Sequence, residues 1–270
     1  MNHPAITLIT ITLYLACTIL MLLKIRSAPS VSKFNKPQLL LPGFIAIALH
    51  LTTLYHGMIN PLGVNLGFYT ALSLVSAFIT LFTLASVLRH PVEIMGIIVM
   101  PIAAMVLSLD SINTSIHWIA PGSSFELLFH VLSSLVAYSI LALAALHAIV
   151  LSVQNRFLHS HQPGGIIKLL PPLKTMESLL FEAIIIGFIC LSFSLATGLI
   201  FLENMFAQKL AHKTVLSIAA WFVFATLLIG RWFFGWRGRT AIRWTLTGFI
   251  SLMLAYFGSK FVLEVLLVQS

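Results

Sequence analysis

Eight stretches of this chain are apolar over enough residues to cross the hydrocarbon core of a bilayer, which takes about 17–25 residues of helix. They run over about 5–23, 38–58, 65–88, 92–108, 125–152, 177–202, 213–230 and 244–267. With 59% apolar residues, 8% charged residues and a mean hydropathy of +1.04, the chain lacks the polar sequence to cover that surface in water. No connecting segment is long enough for a soluble domain. The reading is an all-α, polytopic integral membrane protein of about eight transmembrane helices, forming a single transmembrane domain over 1–270.

The basic residues give an orientation, because Lys and Arg are retained on the cytoplasmic side. Lys24, Arg26, Lys33 and Lys36 follow helix 1, Arg89 follows helix 3, Arg156, Lys168 and Lys174 follow helix 5, and Arg231, Arg237, Arg239 and Arg243 follow helix 7. Of the 15 basic residues, only Lys209, Lys213 and Lys260 fall toward the other face. With eight spans, both termini are then expected outside, on the periplasmic side. The net charge of +8 follows from this topology and from anionic inner-leaflet lipid, so it gives no reason to expect nucleic acid as a partner. Met1–Pro4 lacks Lys and Arg ahead of the first apolar run, so helix 1 reads as an uncleaved span. Cys17 and Cys190 lie far apart and outside any CxxC, which suits buried structural thiols rather than a thiol relay.

The outer connections, about 59–64, 109–124 and 203–212, are short, and the second holds Asp110, His117 and Trp118. Pro121-Gly122-Ser123-Ser124 suits a helix start, with Glu126 complementing the dipole in the first turn. The inner loop 153–176 is too rich in Pro and Gly to be helical throughout. Pro42 and Pro101 are expected to bend helices 2 and 4. No internal repeat supports an inverted-repeat transporter.

Four of the 10 histidines, His50, His56, His130 and His147, fall in the spans, where an ionisable ring is costly and marks either a site or a held neutral side chain. At about 1.5 Å per residue, His50 lies roughly 12 Å and His130 roughly 8 Å from the outer ends of their helices. His212, at the outer start of helix 7, caps the same side. Three imidazoles near one level is what a bis-histidine haem or small metal site requires. His56 is about 120° around the helix from His50, and His147 lies roughly 25 Å inward of His130, so neither joins that site. For those two the expectation is a neutral, hydrogen-bonded ring. For His50 and His130 that reading and ligation both stand. Glu126, one turn before His130, is a candidate carboxylate for its second ring nitrogen, or a charge at the helix start.

Glu182 and the pair Lys260/Glu264 are the other charges in apolar runs. The pair is four residues apart on one helix face and neutralises itself. Gly235-Trp236-Arg237-Gly238-Arg239 is an unusually basic inner turn, and topology accounts for its arginines but not its glycines. A cytoplasmic partner protein or a lipid headgroup docking at Gly235–Arg239 is the expectation there.

The run Phe129-His130-Val131 through Ala137-Tyr138-Ser139 resembles the histidine-bearing helix of the cytochrome c assembly (CcsA/CcmC-like) membrane proteins. Pro171-Pro172-Leu173, Thr197-Gly198, Lys213 to Trp221, Gly235 to Arg239 and Ala255-Tyr256-Phe257-Gly258-Ser259 look like its YpjD/HemX-like branch. The resemblance is strongest over about 125–262, with a weaker match around His50. It implies an eight-helix bacterial inner-membrane protein that handles haem, with His50 and His130 as possible haem-iron axial ligands and His212 near the outer surface. Haem-delivering members carry a tryptophan-rich outer loop, and here that loop has only Trp118, with Trp232, Trp236 and Trp244 on the inner side.

The functional expectation is therefore a haem-binding protein of cytochrome biogenesis. It is a carrier, chaperone or redox participant and not an enzyme, since no nucleophile–base or phosphate-cradling motif occurs. The alternatives are a transporter or transporter accessory, with Glu182 and the histidines on an ion path, and a HemX-like regulator of haem synthesis.

Overall fold

The computed structural model describes residues 4–26, 34–61, 63–113, 118–119, 125–159, 170–201 and 211–258. Its helices are α1 (Pro4–Ile25), α2 (Lys36–Met58), α3 (Phe68–Arg89), α4 (Glu93–Ile112), α5 (Phe125–His159), α6 (Leu173–Phe201), α7 (Ala211–Phe234) and α8 (Gly238–Met253), the last running into a π-helical turn, Leu254–Gly258. Among the described residues, 8 helices have the length and composition to cross a membrane. The fold is helical as the apolar runs predict. Lys260/Glu264, His117 and His161 lie outside the described residues.

The chain divides into two compact units, Met1–Gly122 and Ser123–Ser270. In the first, α1–α2, α2–α3, α3–α4 and α4–α1 pack together as a closed ring of four helices. Lys24 Nζ reaches the Phe34 carbonyl, and Lys36 Nζ reaches the Val87 and His90 carbonyls and Glu93 (3.4 Å), which gathers the basic helix ends at one pole. Tyr14, Met21, Leu39, Leu40, Leu84, Met95 and Met100 fill the centre. The outward face of the ring is apolar as well as its centre, as a lipid surrounding requires. Leu8, Ile9, Ile19, Leu41, Ile102 and Met105 point outward, while Thr10, Thr18, Thr80 and Thr83 are buried. Each of those hydroxyls donates to the carbonyl four residues back, at 2.7–2.9 Å, so it carries its own partner into the interior.

A feature absent from the sequence reading is a three-stranded antiparallel sheet at the other pole, β1 (Ile59–Asn60), β2 (Gly63–Asn65) and β3 (Trp118–Ile119). The register pairs Ile59 with Val64, Val64 with Ile119 and Asn65 with Trp118. Strands of two or three residues are too short for any periodic signal.

The second unit repeats the ring with α5–α6, α6–α7, α7–α8 and α8–α5. Two of the boundaries that differ from the apolar runs have a visible cause. Helix α5 continues past 152 to His159, and Gln154 Nε2, donating to the Pro171 carbonyl at 2.8 Å, ties its polar end to the start of α6. Helix α8 starts at Gly238 rather than 244 because Glu177, 61 residues away in sequence, accepts the Gly238 N–H at 2.9 Å and caps the helix. Pro42 and Pro101 each sit within a continuous helix. Cys17 is buried, but Cys190 is only part-buried.

Candidate functional site

Residues on the wall of one cavity come from all four helices of the second unit. The cavity holds about 200 Å³ and is lined by His130, Ser134 and Tyr138 of α5, Ser194 of α6, Lys213 and Ser217 of α7, and Tyr256 of the π-helical turn, with Val131, Leu135, Leu191, Leu195 and Leu252 between them. His130 occupies the first part of α5, half-buried. Its Nδ1 lies 3.0 Å from the Ser194 carbonyl and 3.2 Å from Thr197 Oγ1. The Thr197 hydroxyl spends its proton on the Ser194 carbonyl (2.9 Å), so both oxygens can only accept from the ring. Nδ1 therefore carries the hydrogen, and Nε2 bears the lone pair. Among the described residues Nε2 has no hydrogen-bond partner, while His130 lies on the cavity wall. Ser134 strengthens the arrangement by bonding both the His130 carbonyl and Ser194 Oγ at 2.6 Å. An imidazole anchored through Nδ1 with a bare Nε2 is the usual state of a metal-binding histidine.

His50 is the reverse case. It is fully buried in the first unit, with Nδ1 3.0 Å from Tyr14 OH and Nε2 2.9 Å from Ser73 Oγ. Tyr14 also meets the ring edge-on at 5.9 Å between centroids. Both ring nitrogens are thus taken up by side chains of neighbouring helices. His212 lies in the first turn of α7, and its side chain is outside the described residues. Glu126 lies in the first turn of α5, as expected, but no hydrogen bond joins it to His130, whose ring is held from α6 instead. The sequence reading gave Ser194 no role and named Thr197 only within the family resemblance, not as a partner of His130. Their spacing of three residues on one helix face, opposite a membrane histidine, was a further signal.

His147 is buried with Nδ1 2.9 Å from the Leu143 carbonyl of its own helix rather than a neighbouring one, and its Nε2 has no partner among the described residues. His56 and Glu182 are exposed. Among the described residues, no three His, Cys, Asp or Glu side chains converge as a small metal site needs.

The basic turn has a structural explanation for its glycines. Gly235 and Gly238 adopt φ of 65° and 52°, a region costly for other residues. Trp236 donates its N–H to the Gly230 carbonyl at 3.1 Å, and Arg237 lies 3.4 Å from buried Glu177. Arg239 and Arg243 stay exposed, and so do Trp232, Phe233 and Phe234, as an aromatic belt at a membrane interface requires.

Residues 38–267 match the model of a family described as "Cytochrome C assembly protein". The chain is 37% identical over 145 residues to "Inner membrane protein YpjD" of Escherichia coli (strain K12), covering 52% of this chain and 53% of that protein. It is 35% identical over 150 residues to an "Uncharacterized 28.8 kDa protein in nifR3-like 5'region" of Azospirillum brasilense, covering 55% of each. The chain thus matches about half the length of these curated relatives. No solved structure matches it. With eight helices among the described residues long and apolar enough to cross a membrane, and a family match over most of its length, the chain is a multi-pass inner-membrane protein that belongs to the cytochrome c assembly family.

Proposed function

We propose that this protein handles haem in cytochrome biogenesis, and that the cavity of the second unit takes it up with His130 as the axial imidazole. The observation that carries the proposal is the bare Nε2 of His130 on the wall of a cavity of mixed lining, with Nδ1 locked by Ser194 and Thr197. Lys213, on the same wall, is a cation of the kind that holds propionate carboxylates. His212 precedes it by one residue and joins the proposal as a second imidazole on sequence position alone. The donor chemistry fits haem. The volume, about 200 Å³, is below the roughly 300–1,000 Å³ that encloses a cofactor, so the walls must part for a whole macrocycle.

Haem held there would supply one-electron chemistry or be cargo. The chain's own part is to fix one ring orientation, raise the basicity of Nε2 through its Nδ1 bonds, and exclude water with leucines. That is the work of a carrier or chaperone rather than an enzyme. With the basic helix ends cytoplasmic, both termini and the His130 cavity lie toward the outer side. The exposed arginines Arg239 and Arg243 then meet inner-leaflet lipid headgroups.

The test is the absorption spectrum of the full chain purified in detergent from haem-replete cells. A stoichiometric Soret band, lost in His130→Ala and kept in His50→Ala, is the expected result. A colourless wild type overturns the haem reading and leaves a transport or regulatory role for the family fold.

A further inference from the structure

The first unit has a cavity of its own, which the haem reading does not use. It lies at the pole opposite the basic helix ends, where α1 and α3 begin and α2 and α4 finish. It holds about 90 Å³, and its wall includes Thr53, Asn65, Thr70, Asp110, Asn113 and the exposed Ser111.

What sets this wall apart is where its hydrogens go. Thr53 gives its hydroxyl hydrogen to the Leu49 carbonyl at 2.6 Å, and Thr70 gives its own to Asp110 Oδ1 at 3.1 Å. Asn113 turns its amide nitrogen to the Leu109 carbonyl at 3.0 Å, and its side-chain oxygen has no hydrogen-bond partner among the described residues. Asn65 Oδ1 accepts the Gly67 N–H at 3.1 Å, which uses one of its two lone pairs. Thr53, Thr70 and an ionised Asp110 therefore have lone pairs alone to offer a guest.

Charge points the same way. Among the described residues Asp110 makes no ion pair, and Lys24, Arg26, Lys36 and Arg89 of this unit belong to the opposite pole. Water satisfies lone pairs but not charge, and a half-buried carboxylate is costly to leave without a counter-charge. An oxygen-only wall suits a hard cation, and a single carboxylate balances a single positive charge. The basic pole shows the same solution built from the chain itself. There the Lys36 ammonium of α2 sits on two carbonyls at the end of α3, Val87 and His90, and on the Glu93 carboxylate of α4. At the other pole the same three helices present Thr53, Thr70 and Asp110, with no ammonium among the described residues.

We propose that this cavity binds a monovalent alkali cation, held by the Asp110 carboxylate and by the oxygens of Thr53, Thr70, Asn65 and Asn113. The ion ties α2, α3 and α4 together at one pole as Lys36 ties them at the other.

Thermal unfolding of the full chain in detergent tests this without reference to haem. Ionic strength is held constant with N-methyl-D-glucamine chloride, whose cation is too large for the cavity, and NaCl or KCl replaces it stepwise. A ligand of the folded state raises the melting temperature with the logarithm of its concentration once the site fills, here by about 2–5 °C per tenfold. Asp110→Asn, which keeps an oxygen for Thr70, is expected to melt at one temperature throughout. Thr53→Val, which removes one neutral oxygen, is expected to raise the half-saturating concentration roughly threefold or more. A wild type that melts alike in alkali and glucamine salt overturns the proposal and leaves water in the cavity. So does an alkali response kept in Asp110→Asn, or a half-saturating concentration unchanged in Thr53→Val. Calcium chloride that stabilises more than sodium chloride at equal concentration overturns the assignment of a single charge.

Discussion

The two units place a histidine in much the same setting and hold it in opposite ways. Each is a closed ring of four membrane helices, and each has its histidine toward the pole away from the basic helix ends. In the first unit, neighbouring helices hold both ring nitrogens of His50. In the second, one neighbour holds Nδ1 of His130 and Nε2 is left at a cavity. The lesson is that depth in the membrane does not separate the two imidazoles. The number of nitrogens already committed does.

The largest expected effect sets stability against pigment. His50→Ala removes two bonds between helices and leaves a void where a fully buried ring stood, an expected loss of about 2–4 kcal/mol. His130→Ala, at a half-buried ring beside an existing cavity, is expected to cost about 1 kcal/mol or less. Thermal unfolding of both variants in detergent, read beside their spectra, should give a large drop with colour retained for His50 and a small drop with colour lost for His130. Equal drops would erase the distinction between the two rings.

The helices were legible in the sequence because the bilayer fixes their length and composition, and the described residues include eight helices of the length and composition expected. Their ends were less so. The start of α8 depends on Glu177, and the run of apolar residues carries no trace of a cap supplied by another helix. His130 was legible as a candidate because a lone ionisable ring in an apolar run is conspicuous. Its partners were not, since Ser194 and Thr197 look like any of the many hydroxyls that satisfy themselves on their own helix, as Thr10 and Thr18 do. The same blindness hid the difference at His50. Tyr14 and Ser73, on α1 and α3, turn a candidate ligand into part of a closed chain, and nothing local to residue 50 reveals them.

Two replacements of intermediate size sharpen the comparison from each side. Thr197→Val removes one of the two acceptors that hold His130 Nδ1 and leaves the Ser194 carbonyl. Haem affinity, measured by titration into the full chain, is expected to fall about tenfold, the lower end of what such supporting bonds contribute. Tyr14→Phe removes one bond between helices in the first unit, an expected loss of about 0.6 kcal/mol, with the spectrum unchanged. A spectral shift in Tyr14→Phe would tie the first unit to the pigment and break the division of labour.

The smallest effect is expected at Glu126, and it is informative because proximity in sequence argues the other way. Glu126 is one turn from His130 on the same helix, the spacing at which a carboxylate is placed to hold an imidazole. The ring nitrogen it would hold already donates to Ser194 and Thr197 across to α6, and no bond joins Glu126 to the ring. Glu126→Gln should therefore leave the Soret position and haem affinity unchanged and shift stability by no more than about 0.5 kcal/mol, as for an ordinary surface position. The difference spectrum between Glu126→Gln and the wild type is then flat. A displaced Soret band would mean that the carboxylate takes over Nδ1 when the iron site is filled, and that Ser194 and Thr197 hold the ring only while it waits.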